Sequence, residues 1–191
     1  MAVGRFIREF LRRPGSIGAV VPSSSELSDL ITDTAGVADA DVVVEIGPGT
    51  GPFTEAILRK LKPGATFFAI EFNEPFVKLL RQKFPGASIH HDSAVNICPL
   101  LKSHGHTTCN AVVSGLPFAS FADGMQDEVL RAVRDALVPG GVFATFAYWQ
   151  GLMVPQGLRF RRRLHDEFSQ VTTTKTVWGN VPPAFVYRAV K

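Results

Sequence analysis

Cysteine is nearly missing from this 191-residue sequence, which holds only Cys98 and Cys109. Two thiols cannot make a disulfide framework, and with no histidine at ligand spacing beside them they do not make a zinc site. Two reduced thiols in a cytoplasmic protein is the expectation. His90, His91, His104, His106 and His165 show no metal spacing either, so no metal is expected. The first residues lack the apolar core and small-residue cleavage site of a secretory signal. Charge is absent from 136 to 158, a stretch long enough to cross a bilayer. Pro139, Gly140, Gly141, Gly151 and Pro155 interrupt it, and that punctuation reads as helix end, turn, buried strand and loop rather than a membrane span. Repeats and low-complexity segments are absent too, and the length suits one domain with its own core.

Charge is present but unevenly placed. The net charge is +3. Arg5, Arg8, Arg12 and Arg13, against Glu9, contribute +3 in the first thirteen residues; Arg159, Arg161, Arg162 and Arg163 contribute +4, which leaves −4 for the rest. An acidic body with two arginine-rich attachments suggests a negatively charged partner. On a helix over 2–13, Val3, Phe6, Ile7, Phe10 and Leu11 share an arc of roughly 140°, with the charged side chains opposite. Pro14 and Gly15 end it.

Ser23 and Glu26 have capping-box spacing for a helix over about 26–34. From Asp41 strands and helices alternate: strands at 41–46, 66–71, 88–90, 110–114 and 142–148, helices at 53–61, 74–84, 126–137 and 158–168. Two further strands follow at about 170–178 and 183–190, joined by Gly179-Asn180-Val181-Pro182-Pro183. This order predicts an α/β fold with an open, seven-stranded, mostly parallel sheet, helices on both faces and an antiparallel edge.

The first strand runs into Glu45-Ile46-Gly47-Pro48-Gly49-Thr50-Gly51, a turn where backbone can approach a ligand closely. A phosphate loop would need Gly-Lys-Ser/Thr, and no lysine occurs before Lys60. The dinucleotide fingerprint would put its third glycine at Pro52. The remaining pattern, acid-x-Gly-x-Gly-x-Gly, resembles the class I S-adenosylmethionine-dependent methyltransferases, whose fold is Rossmann-like. The resemblance implies S-adenosylmethionine as cofactor and S-adenosylhomocysteine as product. It implies that Gly47, Gly49 and Gly51 cradle the cofactor and that Glu45 sits near its ammonium. Glu71, at the end of the second strand, would accept from both ribose hydroxyls with Phe72 beside it. Asp92, followed by Ser93, would lie at the adenine.

The fourth strand ends in Ser114-Gly115-Leu116-Pro117-Phe118. Amino-methylating members of the class carry Asn/Asp-x-Pro-aromatic here, to accept hydrogen bonds from the target amine and stack beside it. Serine can accept a hydrogen bond but lacks the amide pair suited to the edge of adenine. The basic amphipathic start, Gly18-Ala19-Val20-Val21-Pro22-Ser23-Ser24, the glycine turn, Ser114 to Phe118 and Asn180 to Arg188 together resemble small bacterial phospholipid N-methyltransferases. Those enzymes resemble ribosomal RNA adenine dimethyltransferases and convert phosphatidylethanolamine stepwise towards phosphatidylcholine.

That resemblance implies Ser114, Gly115, Leu116, Phe118 and Tyr148 at the acceptor amine, with Ser114 also near the cofactor and Trp149 as a further wall. Phe118 can face a cation through its ring. Tyr148 and Arg188, or an arginine of 159–163, would take the lipid phosphate. Residues 1–15 are expected as a membrane-binding helix, with Phe6, Ile7, Phe10 and Leu11 entering the headgroup boundary while Arg5, Arg8, Arg12 and Arg161 meet anionic lipid. Residues 16–191 form the catalytic domain. The expected setting is a monomer held peripherally at the inner face of the cell membrane, with no nucleic-acid partner. The competing reading is an RNA adenine N6-methyltransferase, whose arginines neutralise phosphates. Ser114 in place of asparagine, the phenylalanine arc and the lack of a helical RNA-binding extension count against it.

Overall fold

The computed structural model describes residues 23–191. The expected amphipathic helix, with Arg5, Phe6, Ile7, Arg8, Phe10, Leu11 and Arg12, and the segment Gly18 to Pro22 lie outside the described residues. Seven strands form one sheet: β1 (Val42–Ile46), β2 (Thr66–Glu71), β3 (Ser88–His91), β4 (Cys109–Ser114), β5 (Leu137–Tyr148), β6 (Gln170–Thr173) and β7 (Ala184–Val190). Their spatial order is β3-β2-β1-β4-β5-β7-β6. The pairings from β3 to β5 are parallel, and β7 runs antiparallel to both neighbours. The expected Rossmann-like, mostly parallel sheet with an antiparallel edge is therefore present.

Six helices cover it: α1 (Ser25–Ala35), α2 (Pro52–Lys60), α3 (Glu74–Lys83), α4 (Ile97–Ser103), α5 (Asp123–Ala136) and α6 (Pro155–Glu167). Leu27 and Ile31 of α1 and Phe53 and Ile57 of α2 pack with Val43, Val113 and Val186 on one face, where α3 also lies. Leu101 of α4, Leu130 of α5 and Phe160 and Leu164 of α6 pack with Val44, Val112 and Phe143 on the other. Covered on both faces, the central strands read as continuous apolar runs. The one charged residue inside β1 is Glu45, and it is fully buried. The strand order reverses between β1 and β4, and ligands bind at the carboxyl ends of the strands at such a point.

Several boundaries differ from expectation. The cap of α1 is Ser24 rather than Ser23, its Oγ accepting from Leu27 N–H at 3.2 Å, so Glu26 does not close a capping box. Helix α4 gives little periodic signal, being seven residues with a proline inside. Strand β5 begins at Leu137, not Val142, because a register shift between Cys109 and Ala111 lets Pro139, Gly140 and Gly141 stay within the strand. Strand β6 stops at Thr173, with a lone bridge from Val177 to Ala184 beyond it. The uncharged stretch 136–158 becomes the end of α5, β5, a short turn over Trp149–Met153 and the start of α6. Among the described residues no helix is long and apolar enough to cross a membrane. Both thiols are free, and burial pushes that of Cys109 up to about 12.

Candidate active site

Gly47, Gly49 and Gly51 take φ of 68°, 58° and 88°, the left-handed region that favours glycine. Gly47 N–H donates to the Ile70 carbonyl and Gly115 N–H to the Ile46 carbonyl, each at 2.9 Å. These bonds carry the β1–β2 and β1–β4 ladders one step past the strand ends and press the two loops together. A Cβ at Gly115 would overlap the Gly47 carbonyl oxygen, and one at Gly47 would overlap the Leu116 side chain. The glycine turn after β1 and the turn after β4 thus meet so closely that neither Gly47 nor Gly115 has room for a side chain. A Cβ at Gly49 would instead point into open space, and Gly49 N–H donates to Glu71 Oε2 at 3.0 Å.

Glu45 and Glu71 project from the same face, as their registers on β1 and β2 require. Glu45 Oε2 accepts from Thr54 Oγ1 of α2 at 2.6 Å, while Oε1 is buried with no partner. Burial, opposed by the Thr54 bond and reinforced by the like charge of Glu71, pushes the Glu45 carboxyl up to about 8. Such an orphaned oxygen calls for a donor, and a cationic one would favour its ionised form. Glu71, also buried, accepts from Asn73 N–H at 2.8 Å through Oε1; burial raises its pKa, and the backbone donors of Asn73, Gly49 and Phe72 hold the rise back. Its oxygens retain lone pairs for a diol. Phe72 is half-buried beside it. The Asp92 carboxylate accepts from Ser93 N–H and Asn96 Nδ2, both at 2.7 Å, which orders the turn after β3. Gly49, Glu71 and Asp92 are linked through one edge, since Asp92 N–H donates to the Glu71 carbonyl at 3.1 Å.

The acceptor residues are placed differently from expectation. Ser114 is fully buried, and its Oγ accepts from Leu116 N–H at 3.1 Å, so the hydroxyl shapes the turn that follows β4. Leu116 O accepts from Phe118 N–H at 3.0 Å, whereas the Gly115 carbonyl accepts no hydrogen bond among the described residues. Phe118 is a core ring rather than an exposed wall. It stacks on Phe160 of α6 with centroids 4.5 Å apart and meets Phe143 edge-on at 6.0 Å. Gln126 Nε2 pins its carbonyl at 2.7 Å. Burying such a ring against others is favourable by about 2–3 kcal/mol, which outweighs leaving it at a wet rim.

Tyr148 does reach the edge, half-buried and three residues past the rung that pairs Ser114 with Thr145. Its ring meets Phe146 edge-on at 5.3 Å, and burial raises its pKa. Arg188 does not join it. It stands opposite Ala144, four residues down β5 from Tyr148, which is about 13 Å along the strand. Because β7 enters the sheet at the rim, its later residues descend away from the site, so the two side chains do not form one phosphate clamp.

The arginine run is also partly spent. Arg163 pairs with Asp127 at 2.6 Å and Asp123 at 3.3 Å, and Arg159 pairs with Asp123 at 3.3 Å, fastening α6 to α5. Arg161 is exposed and has no acidic partner within salt-bridge distance among the described residues. Two polar groups escaped the sequence reading. Thr54 looks like an ordinary residue of an amphipathic helix. Thr145, in register with Ser114, looks like a plain strand former, yet its Oγ1 is buried without a partner. A mid-strand threonine carries no motif, so no sequence signal marks it.

A family model described as a methyltransferase domain matches residues 44–143, from β1 to β5. The ornithine lipid N-methyltransferase of Singulisphaera acidiphila is 31% identical over 97% of this chain and 95% of its own length. The chloroplastic ribosomal RNA small subunit methyltransferase of Arabidopsis thaliana is 36% identical, but over only 44% of this chain and 22% of its own. Among solved structures, the O-methyltransferase TomG of Streptomyces achromogenes, in complex with SAM, superposes with a TM-score of 0.71 at 20% identity, covering 100% of this chain and 88% of its own. An O-methyltransferase of Bacillus cereus with SAH gives 0.70 at 15% identity, covering 98% and 91%. Those two likenesses are of fold. With the family match the cofactor is S-adenosylmethionine, and the orphaned Glu45 oxygen and the open side of Gly49 are compatible with it.

Proposed function

This chain belongs to the methyltransferase-domain family, of class I S-adenosylmethionine-dependent type, and we propose that its acceptor is the amine of a membrane lipid headgroup. The reading is N-methylation of phosphatidylethanolamine and its partly methylated forms towards phosphatidylcholine. The observation that carries it is coverage: the match to a lipid N-methyltransferase runs through nearly the whole of both chains, while the ribosomal RNA enzyme matches through less than half of this one. Ornithine lipid is the second reading, since that is the substrate in the relative's name.

Glu45, Gly47, Gly49, Glu71 and Asp92 would hold the cofactor, which supplies an electrophilic methyl group. Glu45 would accept the cofactor's ammonium at Oε1 and Glu71 the ribose hydroxyls. The chain's remaining task is to present a neutral amine. An ethanolamine ammonium has no lone pair, so it must release a proton before it can attack. Half-buried Tyr148 and Leu116 give an apolar flank that disfavours the charged form. The Gly115 carbonyl, which accepts no hydrogen bond among the described residues, accepts one from an amine that still carries a hydrogen and orients its lone pair. Residues 1–15 are proposed as the membrane helix, with 16–191 as the catalytic domain at the inner membrane face.

The test offers methyl-labelled S-adenosylmethionine with vesicles of phosphatidylethanolamine, vesicles containing ornithine lipid, or ribosomal RNA. Label in phosphatidylethanolamine supports the first reading; label confined to ornithine lipid transfers the assignment to the second. Label in RNA alone removes both. Deleting residues 1–13 is expected to weaken binding to anionic vesicles, and added salt to weaken binding of the full chain.

A further inference from the structure

Six large apolar side chains stand exposed along one rim: Trp149 (44%), Met153 (72%), Val154 (41%), Leu158 (53%), Trp178 (70%) and Val181 (66%). Elsewhere among the described residues only Leu58 and Leu79, on separate helices, are large, apolar and so exposed. Scattered leucines need no explanation, whereas a concentration of this kind marks an interaction surface.

The rim is one surface although two loops supply it. The Trp149 and Trp178 ring centroids lie 6.5 Å apart, and Trp149 N–H donates to the Pro183 carbonyl at 2.9 Å. Gly157 sits against the Gly151 carbonyl so closely that a Cβ would overlap it, which seats the turn 149–153 on the first turn of α6. Leu158, Arg161 and Arg162 then follow at helical spacing along one exposed stripe. Arg161 has no acidic partner there among the described residues, and Arg162 reaches only Asp166, at 4.0 Å between two well-exposed side chains.

Two observations bear on what this rim meets. It begins at Tyr148, on the acceptor edge of the site. It is also where the chain enters the described fold, because Ser24 N–H donates to Asn180 Oδ1 at 2.9 Å, next to Val181. Upstream of Ser24, the sequence of residues 2–13 holds apolar side chains and four arginines, the same chemistry as this patch. Tryptophans over aliphatic side chains, flanked by exposed arginines, suit the boundary between headgroups and acyl chains.

We infer that this rim is the face by which the folded domain docks on an anionic lipid surface. Trp149, Trp178, Met153 and Leu158 enter the headgroup boundary, and Arg161 and Arg162 meet lipid phosphates. The inference rests on the lipid-amine reading and deepens it: docking by this face brings the acceptor edge to headgroup level, so the lipid need not leave the bilayer.

Trp149 and Trp178 are the chain's only two tryptophans, so its tryptophan emission reports on this rim alone. The full chain is mixed with vesicles of phosphatidylethanolamine and anionic phosphatidylglycerol. Expected are a blue shift of emission and a severalfold loss of quenching by acrylamide. The double variant Met153→Asp/Leu158→Asp, at exposed positions outside the site, is expected to bind the vesicles roughly tenfold more weakly. It should methylate bilayer lipid correspondingly more slowly while treating dissolved short-chain ethanolamine lipid as the parent does. Vesicle binding and lipid methylation without any change in emission or quenching overturns the docking face and leaves the substrate reading standing. A shift with no methyl transfer to any lipid does the reverse. Tryptophans already shielded in the free chain, and laid open by deleting residues 1–13, overturn the inference in favour of a self-covered rim.

Discussion

The edge formed by β1, β2 and β3 and the edge formed by β4, β5 and β7 belong to one sheet, yet they are specified in different ways. At the first, the polar groups are backbone N–H and carboxylates fixed at or next to strand ends and bonded to one another or to nearby backbone: Gly49 N–H, Glu71, Asp92. At the second, the outcome depends on which way each side chain turns after its strand, and Ser114 and Phe118 turn inward. A site made of backbone and spacing tolerates little rearrangement, whereas one made of side chains competes with the core for the same residues.

The largest effect separating the two edges is expected for Phe118→Ala. As a core ring it should cost about 3–5 kcal/mol of stability, read as a lowered denaturation midpoint, with KM for the acceptor little changed in the protein that remains folded. A wild-type midpoint with a raised KM would return Phe118 to the acceptor wall. Gly115→Ala should come next. Its Cβ displaces the Gly47 carbonyl, so both edges shift together, and methyl transfer is expected to fall about 100-fold while calorimetry shows weakened cofactor binding. Loss of transfer with unchanged cofactor affinity would show the edges to be independent.

Glu45 gives a smaller, pH-dependent effect. Its carboxyl is neutral below about 8 in the free fold. Binding a cationic donor at Oε1 favours the carboxylate, so cofactor affinity should rise with pH towards about 8, by at most about tenfold per unit, and then level. The stability of the free protein runs the other way. A folded-state value raised above the ordinary 4.5 gives stability that is complete below that ordinary value and is lost as pH rises to about 8. Glu45→Gln should flatten both curves, and two parallel titrations of wild type and variant would check it. The smallest effect is expected from Arg163→Ala, about 1 kcal/mol, since its two carboxylate partners are partly exposed. It should lower thermal stability without touching transfer to dissolved lipid.

Legibility in the sequence follows the same division. The bounds of β2 are those expected, and β1, α2 and α3 fall within a residue of expectation, because apolar runs ended by glycine or proline leave little choice of register. Glu71 ends β2 and Asp92 follows β3 as expected, because strand ends are set locally. Helix α4 lacks enough turns to show a period, and the start of β5 depends on a bulge set by its neighbour β4. Two of the four arginines at 159–163 find Asp123 and Asp127, 36 to 40 residues earlier, a pairing that helix packing decides and composition cannot. The orphaned Thr145 hydroxyl depends on the same kind of non-local placement.

The bond from Ser24 to Asn180 spans 156 residues. During synthesis at about 5–20 residues per second, the stretch around Ser24 waits roughly 8–30 s before its partner has been made. Through that interval the Ser24 amide lacks its partner from the far end of the chain. Closing so long a loop comes late in folding, since its entropy must be offset by contacts that form only then. The start of α1 thus gains this partner only after every strand up to β6 has been made.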